Sequence, residues 1–463
     1  MSLLGFQRFK RIHMIGIGGS GMIGVATILQ KRGFKVTGSD LVLTDELKEL
    51  KKIGAKVQIG HKPKFVQEAD LVVASAAISL RNEEIIYAKK LGLTIIPRAE
   101  MLGTLMKPYR SIAIAGSHGK TSTTSIIASI FNSANLSPTY VVGGQVLSVG
   151  RSSNLGEGNY IIVEADESDG SFLHLQPDVS VITNIDNDHL SFYDFSQDKL
   201  NKSFVNFAEN LPFYGHIILN LDDINIRKIS KQINRKQISF GFSSKNRFQI
   251  KNSKLVNGFQ KFELKDNIIK KNYRFSTSLS GKHNLYNVAA AICVALEEKI
   301  SIKHIAKGLK DFRGVGRRFE VSEIFFTSKP HILIDDYGHH PVEILATIKA
   351  TREKFPRKKI CMIFEPHRFS RTKQLQDDFI KVLSKVDILL LLEIYPANEK
   401  PIKGISSKKL ASLILKNHKH THYIGNSDPI NWLKKNYSNF SVLITQGAGT
   451  ISKLNNQIKT KWQ

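Results

Sequence analysis

The stretch Ile112-Ala113-Ile114-Ala115-Gly116-Ser117-His118-Gly119-Lys120-Thr121-Ser122-Thr123-Thr124 constrains this chain more than any other. Its apolar run predicts a buried strand, a glycine-bearing turn follows, and Thr123 to Phe131 carries apolar residues at helical spacing. In such a unit small residues let backbone N–H groups crowd a polyphosphate, and the helix N-terminus adds positive potential. Lys120 is placed to reach terminal phosphates and the Thr121 hydroxyl to ligate Mg2+. Ile114 stands where the usual pattern has its first glycine, with Gly116 closer in. A second strand, Asn159 to Val163, ends in Glu164, Asp166, Glu167 and Asp169. A strand-end acid beside a phosphate loop is how Mg2+ is completed in nucleoside-triphosphate sites, so the two features together predict ATP-driven chemistry.

A chain of 463 residues exceeds one ordinary core and suggests about two to four domains. No apolar run approaches the roughly 18–20 residues that span a bilayer. Met1 to Arg11 is basic and runs straight into a strand pattern without a signal-peptide core, so a cytoplasmic protein without membrane insertion is expected. Cys293 and Cys361 both sit in apolar patterns and read as core packing. The net charge of +27 favours anionic partners, but the lysines are spread without an aromatic-interleaved patch, which argues against nucleic acid.

Residues 1–107 read as a first parallel α/β domain. Gly16, Gly18, Gly19, Ser20 and Gly21 follow a strand and open a helix, and Ser39-Asp40 closes the next strand about 20 residues on. This is the dinucleotide fingerprint, and alone it says only that a phosphate-bearing ligand lies over a helix N-terminus. A further strand ends at Ser75. Met106-Lys107-Pro108-Tyr109 reads as a linker into a central domain, 108–320. There a polar elbow, Thr183 to Leu190, sits at a strand's carboxyl end. Its His189 is a metal ligand or a surface residue, the residues alone leaving both open. Residues 222–275 read as an exposed β-meander, and Gly314 to Glu320 as a hinge with paired arginines. A third α/β domain, 321–463, carries polar clusters at its strand ends, Asp336-Tyr337-Gly338-His339-His340-Pro341 and Glu365-Pro366-His367-Arg368-Phe369-Ser370-Arg371.

In their order and spacing these motifs, with His283-Asn284 and Arg317-Arg318-Phe319-Glu320, resemble the Mur ligase family over the whole length. The resemblance implies a Rossmann-like UDP-sugar domain, a central P-loop ATPase-type domain and a C-terminal Rossmann-like domain that takes the amino acid. Within the family, the stretch from Asp336 to Pro341 and Tyr395-Pro396-Ala397 are similar to the branch that joins L-alanine to UDP-N-acetylmuramate, with the murein-tripeptide recycling branch as a near sibling. Gly18, Gly19, Ser20, Gly21, Ser39, Asp40 and Ser75 would then hold the UDP-sugar, and the dinucleotide fingerprint would not mean NAD. Gly116, Ser117, His118, Gly119, Lys120, Thr121 and Ser122 would cradle ATP, with Asn284 at the adenine, Asp336 near the ribose and Arg318 near the phosphates. Thr121, Glu164 and His189 would position Mg2+. Lys120, His339, Arg368 and Arg371 are the implied catalytic set, with Arg368 and Arg371 clamping the alanine carboxylate and His367 lining the same pocket. A monomer or weak homodimer is implied.

Two residues and one absence depart from the pattern. Ser191 stands where the family has an acid, no counterpart of the relatives' carbamylated lysine is evident, and Glu365 replaces a glutamine, adding negative charge near the clamp. The rival from another class is an NAD-dependent oxidoreductase, which leaves Lys120 and the Glu164 cluster unexplained; a nucleic-acid-binding ATPase is motivated by charge alone.

Overall fold

The computed structural model describes residues 6–462 apart from 7, 148–150, 189, 327–328 and 398. The chain forms two compact units, residues 1–278 with 284–313 and residues 279–283 with 314–463. The first unit contains two sheets and the second unit one.

In the first sheet five parallel strands lie in the order Lys56–Ile59, Lys35–Asp40, Arg11–Ile15, Leu71–Ala74, Thr94–Pro97. The central strand is buried from Ile12 to Ile15, as a strand covered on both faces must be. It opens at Gly16, whose φ of 74° suits glycine, into the helix Ser20–Lys31.

The second sheet has ten strands. Arg110–Ala115, the phosphate-loop strand, runs parallel between Tyr160–Glu164 and Val179–Ile182. Beyond Val179–Ile182 the sheet continues through His216–Asn220 and Lys236–Gly241 into an antiparallel meander, Phe248–Val256, Phe259–Asp266 and Lys271–Thr277. The meander is thus shorter than the sequence suggests. Ile224–Ser230 is a helix, capped by Asp223, whose carboxylate accepts from Asn225 N and Ile226 N at 2.9 Å each. With only Ile226 and Ile229 buried, so short a helix leaves little periodicity to read.

One apolar core runs through both sheets of the first unit, from Met14 and Val73 to Ala113 and Val163. The helix Ser20–Lys31 packs on Thr139–Val146, so closely that a Cβ on Gly24 would lie 2.6 Å from Val141 Cγ1. The expected linker is therefore packed. Met106 is buried, and the Tyr109 hydroxyl bonds Arg32 Nη2 while the Arg32 guanidinium stands 5.0 Å over the Tyr109 ring.

The sheet of the second unit has the order Glu320–Phe326, Lys329–Asp336, Val442–Gln446, Ile360–Phe364, Ile388–Leu392, Thr421–Gly425, antiparallel only at its first pair. The helix Gln376–Leu383 and the helix Ile451–Trp462 belong to cores on opposite faces. Between those two strands lies the switch point where open α/β sheets place ligands. Cys293 and Cys361 are free and buried in core, as expected.

Candidate active site

The phosphate loop is built by its two glycines and by the elbow after Val179–Ile182. Gly116 (φ 132°) and Gly119 (φ 83°) take backbone angles that other residues rarely adopt, and a Cβ on either would fall within 2.3 Å of Thr183 Oγ1 or Asn287 Oδ1. Thr183 Oγ1 and Asn184 Nδ2 donate to His118 O (2.6 and 2.9 Å), His118 N donates to Asn184 Oδ1 (2.9 Å), and Asp186 N donates to Ser117 Oγ (2.9 Å). The polar elbow singled out in the sequence is thus the brace of the loop. His118 Nε2 lies 3.1 Å from Asp186 Oδ2, so this loop side chain is already engaged. His189 lies outside the described residues.

At the start of the helix Lys120–Ser133, Lys120 Nζ donates to Gly116 O at 2.7 Å and to Glu167 Oε2 at 2.6 Å. Burial works against the ammonium, but Glu167, Asp166 and Glu164 outweigh it and hold Lys120 charged. Burial, with Asp166 adding to it, pushes the Glu167 carboxyl up, and the lysine opposes the rise. Glu167 Oε1 is buried without a hydrogen-bond partner, and Tyr193 Oη fixes the Glu167 backbone carbonyl at 2.5 Å. Thr121 is buried one residue on and Ser122 is half-buried. Glu164, at its strand's end, accepts from Gly143 N at 2.7 Å. A lysine among carboxylates at a helix N-terminus is the donor set that MgATP requires, with positive groups for phosphate oxygens and hard oxygens for the cation. Thr121 and Glu164 fit Mg2+ by their chemistry. Sequence reasoning missed Glu167 as the partner of Lys120, although it flagged the cluster.

In the first sheet, Gly18 N donates to Asp40 Oδ2 at 2.8 Å, and Asp40 Oδ1 accepts from Leu41 N at 2.8 Å. Asp40 therefore shapes the glycine loop. Ser75 packs against the same loop, its Cβ 3.1 Å from where a Gly16 Cβ would stand. The Ser39 side chain points away from the loop: its hydroxyl is fully buried and donates to Glu84 Oε2 at 2.6 Å, so only the Ser39 carbonyl, accepting from Gly16 N and Ile17 N, serves the loop. The helix Ser20–Lys31 begins at Gly19 with no side-chain cap and no acid in its first turn. Over it lies Arg98, whose Nη1 is 2.8 Å from the place of a Gly21 Cβ. No carboxylate among the described residues pairs with Arg98. An unpaired guanidinium at the positive end of a helix is a site for an anion. No local motif marks Arg98, which arrives from the edge strand Thr94–Pro97.

In the second unit the turn Arg317 to Glu320 is held by Asp336. Its carboxylate accepts from Phe319 N, Gly338 N and Gln446 Nε2, each at 2.8 Å, and is almost fully buried. Burial raises this carboxyl to about 6, with Arg318 opposing the rise. The geometry makes Asp336 a brace of the loops around this turn. Arg318 stands 4.9 Å over the Tyr337 ring, with Nη1 3.7 Å from Glu343 Oε1. The neighbouring His283 imidazole is pushed down to about 4 by burial. Asn284, in the first unit, is buried at the start of the helix Lys282–Glu297.

Beyond that turn, His339 and His367 lie 5.2 Å apart, the His367 ring stacks on Tyr395 at 5.5 Å, and the buried Arg371 directs Nη1 at His367 Nδ1 (3.3 Å). Arg368, at φ 73°, carries a buried Nε with no hydrogen-bond partner. An orphaned guanidinium donor beside a second arginine fits a small carboxylate. Glu365, expected to add charge to this clamp, turns elsewhere: it accepts from Thr450 Oγ1 (2.5 Å) and Ile451 N (3.1 Å), capping the helix Ile451–Trp462.

A model of the Mur ligase family catalytic domain matches residues 11–110, one of the Mur ligase middle domain residues 114–295, and one of the Mur ligase glutamate ligase domain residues 317–449. Among solved structures the chain is similar to UDP-N-acetylmuramate-alanine ligase MurC from Thermotoga maritima, at 25% identity over 97% of this chain and 98% of that one, with a TM-score of 0.83. It shares its fold with a murein peptide ligase from Psychrobacter arcticus, at 22% identity over 97% and 98% of the two chains and a TM-score of 0.71. It also shares its fold with a MurF ligase from Thermotoga maritima in complex with ADP, at 16% identity over 92% and 95% of the chains and a TM-score of 0.62.

Proposed function

The chain belongs to the Mur ligase family, and from that premise we propose that it is the ATP-dependent ligase that joins L-alanine to the lactyl carboxylate of UDP-N-acetylmuramate, in cytoplasmic peptidoglycan precursor synthesis. The observation that carries the reading is Lys120, held 2.6 Å from Glu167 at a helix N-terminus where phosphate oxygens would compete for it.

The lactyl carboxylate attacks the γ-phosphorus of ATP, the bond to the β-phosphate oxygen breaks, and ADP leaves an acyl phosphate. The alanine amine then attacks the acyl carbon, and the tetrahedral intermediate expels inorganic phosphate. Both steps bring anions together, so charge neutralisation and alignment matter more than a protein nucleophile. Lys120 and the loop N–H groups serve the phosphates. Thr121 and Glu164 would hold Mg2+, which when bound neutralises charge on the phosphate oxygens. Asp40 keeps the glycine loop open to the UDP-sugar diphosphate, and Arg98 adds a cation to it. Arg368 and Arg371 hold the alanine carboxylate, with His339, His367 and Tyr395 as walls.

The alternative acceptor, a murein tripeptide, has one observation in its favour. On the far side of Tyr395 a cavity of about 630 Å³, lined by Glu393, Asp428 and Lys453, has room for more than alanine. Mass spectrometry of a reaction with MgATP, UDP-N-acetylmuramate and L-alanine tests the proposal. One alanyl residue added per ADP formed is expected, and an unmodified UDP-sugar would contradict it.

A further inference from the structure

The antiparallel meander is remote from the chemistry: its last strand, Lys271–Thr277, lies six places along the sheet from the phosphate-loop strand. Yet its turn is carefully built. Asp266 is buried and directs Oδ1 inward to the backbone of Ile268 (2.9 Å) and Ile269 (3.3 Å). Asn267 ties the turn to the adjoining loop, its Nδ2 donating to Asn246 O at 2.9 Å and its backbone N to Arg247 O at 2.8 Å. Lys270 closes the turn in the left-handed region, at φ 55°. With the backbone so fixed, Ile268 and Ile269 stand 68% and 60% exposed. Isoleucine is stiff at χ1 and loses less by ordering than a long flexible side chain, and two adjacent ones at a braced tip form a wedge.

The charged side chains of the turn that reach solvent have one sign, while the Asp222 carboxylate is taken up by the backbone of the adjoining loop. Lys270 and Lys271 follow it directly, Lys265 precedes it, and Lys245 stands exposed on the adjoining loop. The turn's one acid, Asp266, is buried and faces inward, and the whole chain carries +27. Aliphatic side chains at a tip, ringed by lysines, are complementary to an anionic lipid surface: the isoleucines reach the acyl boundary while the ammonium groups meet headgroup phosphates. Nucleic acid would use the lysines but leave the isoleucines in water, and an acidic protein would need an apolar pocket shaped to this tip, which a fluid acyl boundary does not.

We propose that the 265–271 turn is a peripheral anchor that docks this protein reversibly on anionic membranes. This is independent of the ligase reading. No helix among the described residues is long and apolar enough to cross a membrane, so attachment rests on the surface.

The test is co-sedimentation of the full chain with phosphatidylcholine vesicles containing about 30% phosphatidylglycerol, against phosphatidylcholine alone, with Ile268→Ser/Ile269→Ser and Lys270→Glu/Lys271→Glu variants. Binding to the anionic vesicles is expected, weakened about tenfold or more by either double variant, with phosphate release in the ligase assay unchanged. Equal binding by the wild type and the isoleucine variant would mean diffuse charge attraction and overturn the proposal. So would absence of binding or equal binding to neutral vesicles.

Discussion

At the scale of single residues, the site rests on a few charged groups whose partners are fixed by the fold. Lys120→Ala removes the cation facing the terminal phosphates and is expected to lower kcat by about 10³-fold while the fold persists, as circular dichroism of the variant would check. Arg98→Ala leaves the helix N-terminus without its companion cation. A rise of about 10-fold or more in the KM for the UDP-sugar, with kcat little altered, is expected from steady-state kinetics, since a charge-assisted hydrogen bond contributes about 1.5–3 kcal/mol. Asp336 gives a pH signature. Its carboxyl is raised from 3.8 to about 6 by burial, so its contribution to stability is complete below pH 3.8 and lost as pH rises through 6. The difference amounts to about 3 kcal/mol. Urea unfolding at intervals between pH 4 and 7 should show a steeper decline for the wild type than for Asp336→Asn; parallel curves would remove this account.

At the scale of elements, the phosphate-loop helix depends on a neighbour far along the chain. Helix Ile302–Asp311 crosses helix Lys120–Ser133 at Gly308, where an added Cβ would lie 2.5 Å from Ile130 Cα, and Ser129 and Ser133 hydroxyls donate to Gly308 O (2.9 Å) and His304 O (2.6 Å). Backbone cannot give way there as a side chain would. Gly308→Ala is therefore expected to cost about 1–3 kcal/mol and to weaken ATP binding, by thermal melting with and without nucleotide. The same example shows what was legible in the sequence. The strand, loop and helix around Lys120 were readable because their signals are local: alternation, glycines, and helical spacing. The pairings of Lys120 with Glu167, Ser39 with Glu84, Asp336 with Gln446, and Glu365 with Thr450 were not, because each joins residues brought together only by sheet order. Ser39 is the clearest case, since one strand position decides whether a hydroxyl faces the ligand loop or the interior.

At the scale of the molecule, the three α/β sheets each present a strand-end crevice, and each crevice carries its own chemistry: a glycine loop with Arg98, a phosphate loop with Lys120, and a paired-arginine pocket with His367. The three-sheet order was legible from alternation and loop motifs; that the first two sheets share one core was not, because Tyr109 and Gly24 reveal their packing only in three dimensions. The cavity beyond Tyr395 has room that alanine does not need, so the choice of acceptor decides between the two ligase branches. The most direct measurement is phosphate release from MgATP and UDP-N-acetylmuramate with L-alanine or murein tripeptide as separate acceptors, with Lys120→Ala as control. Release that needs L-alanine and is lost in the variant is the predicted result. Release only with the tripeptide would contradict the alanine assignment, and release with neither would contradict the ligase reading itself.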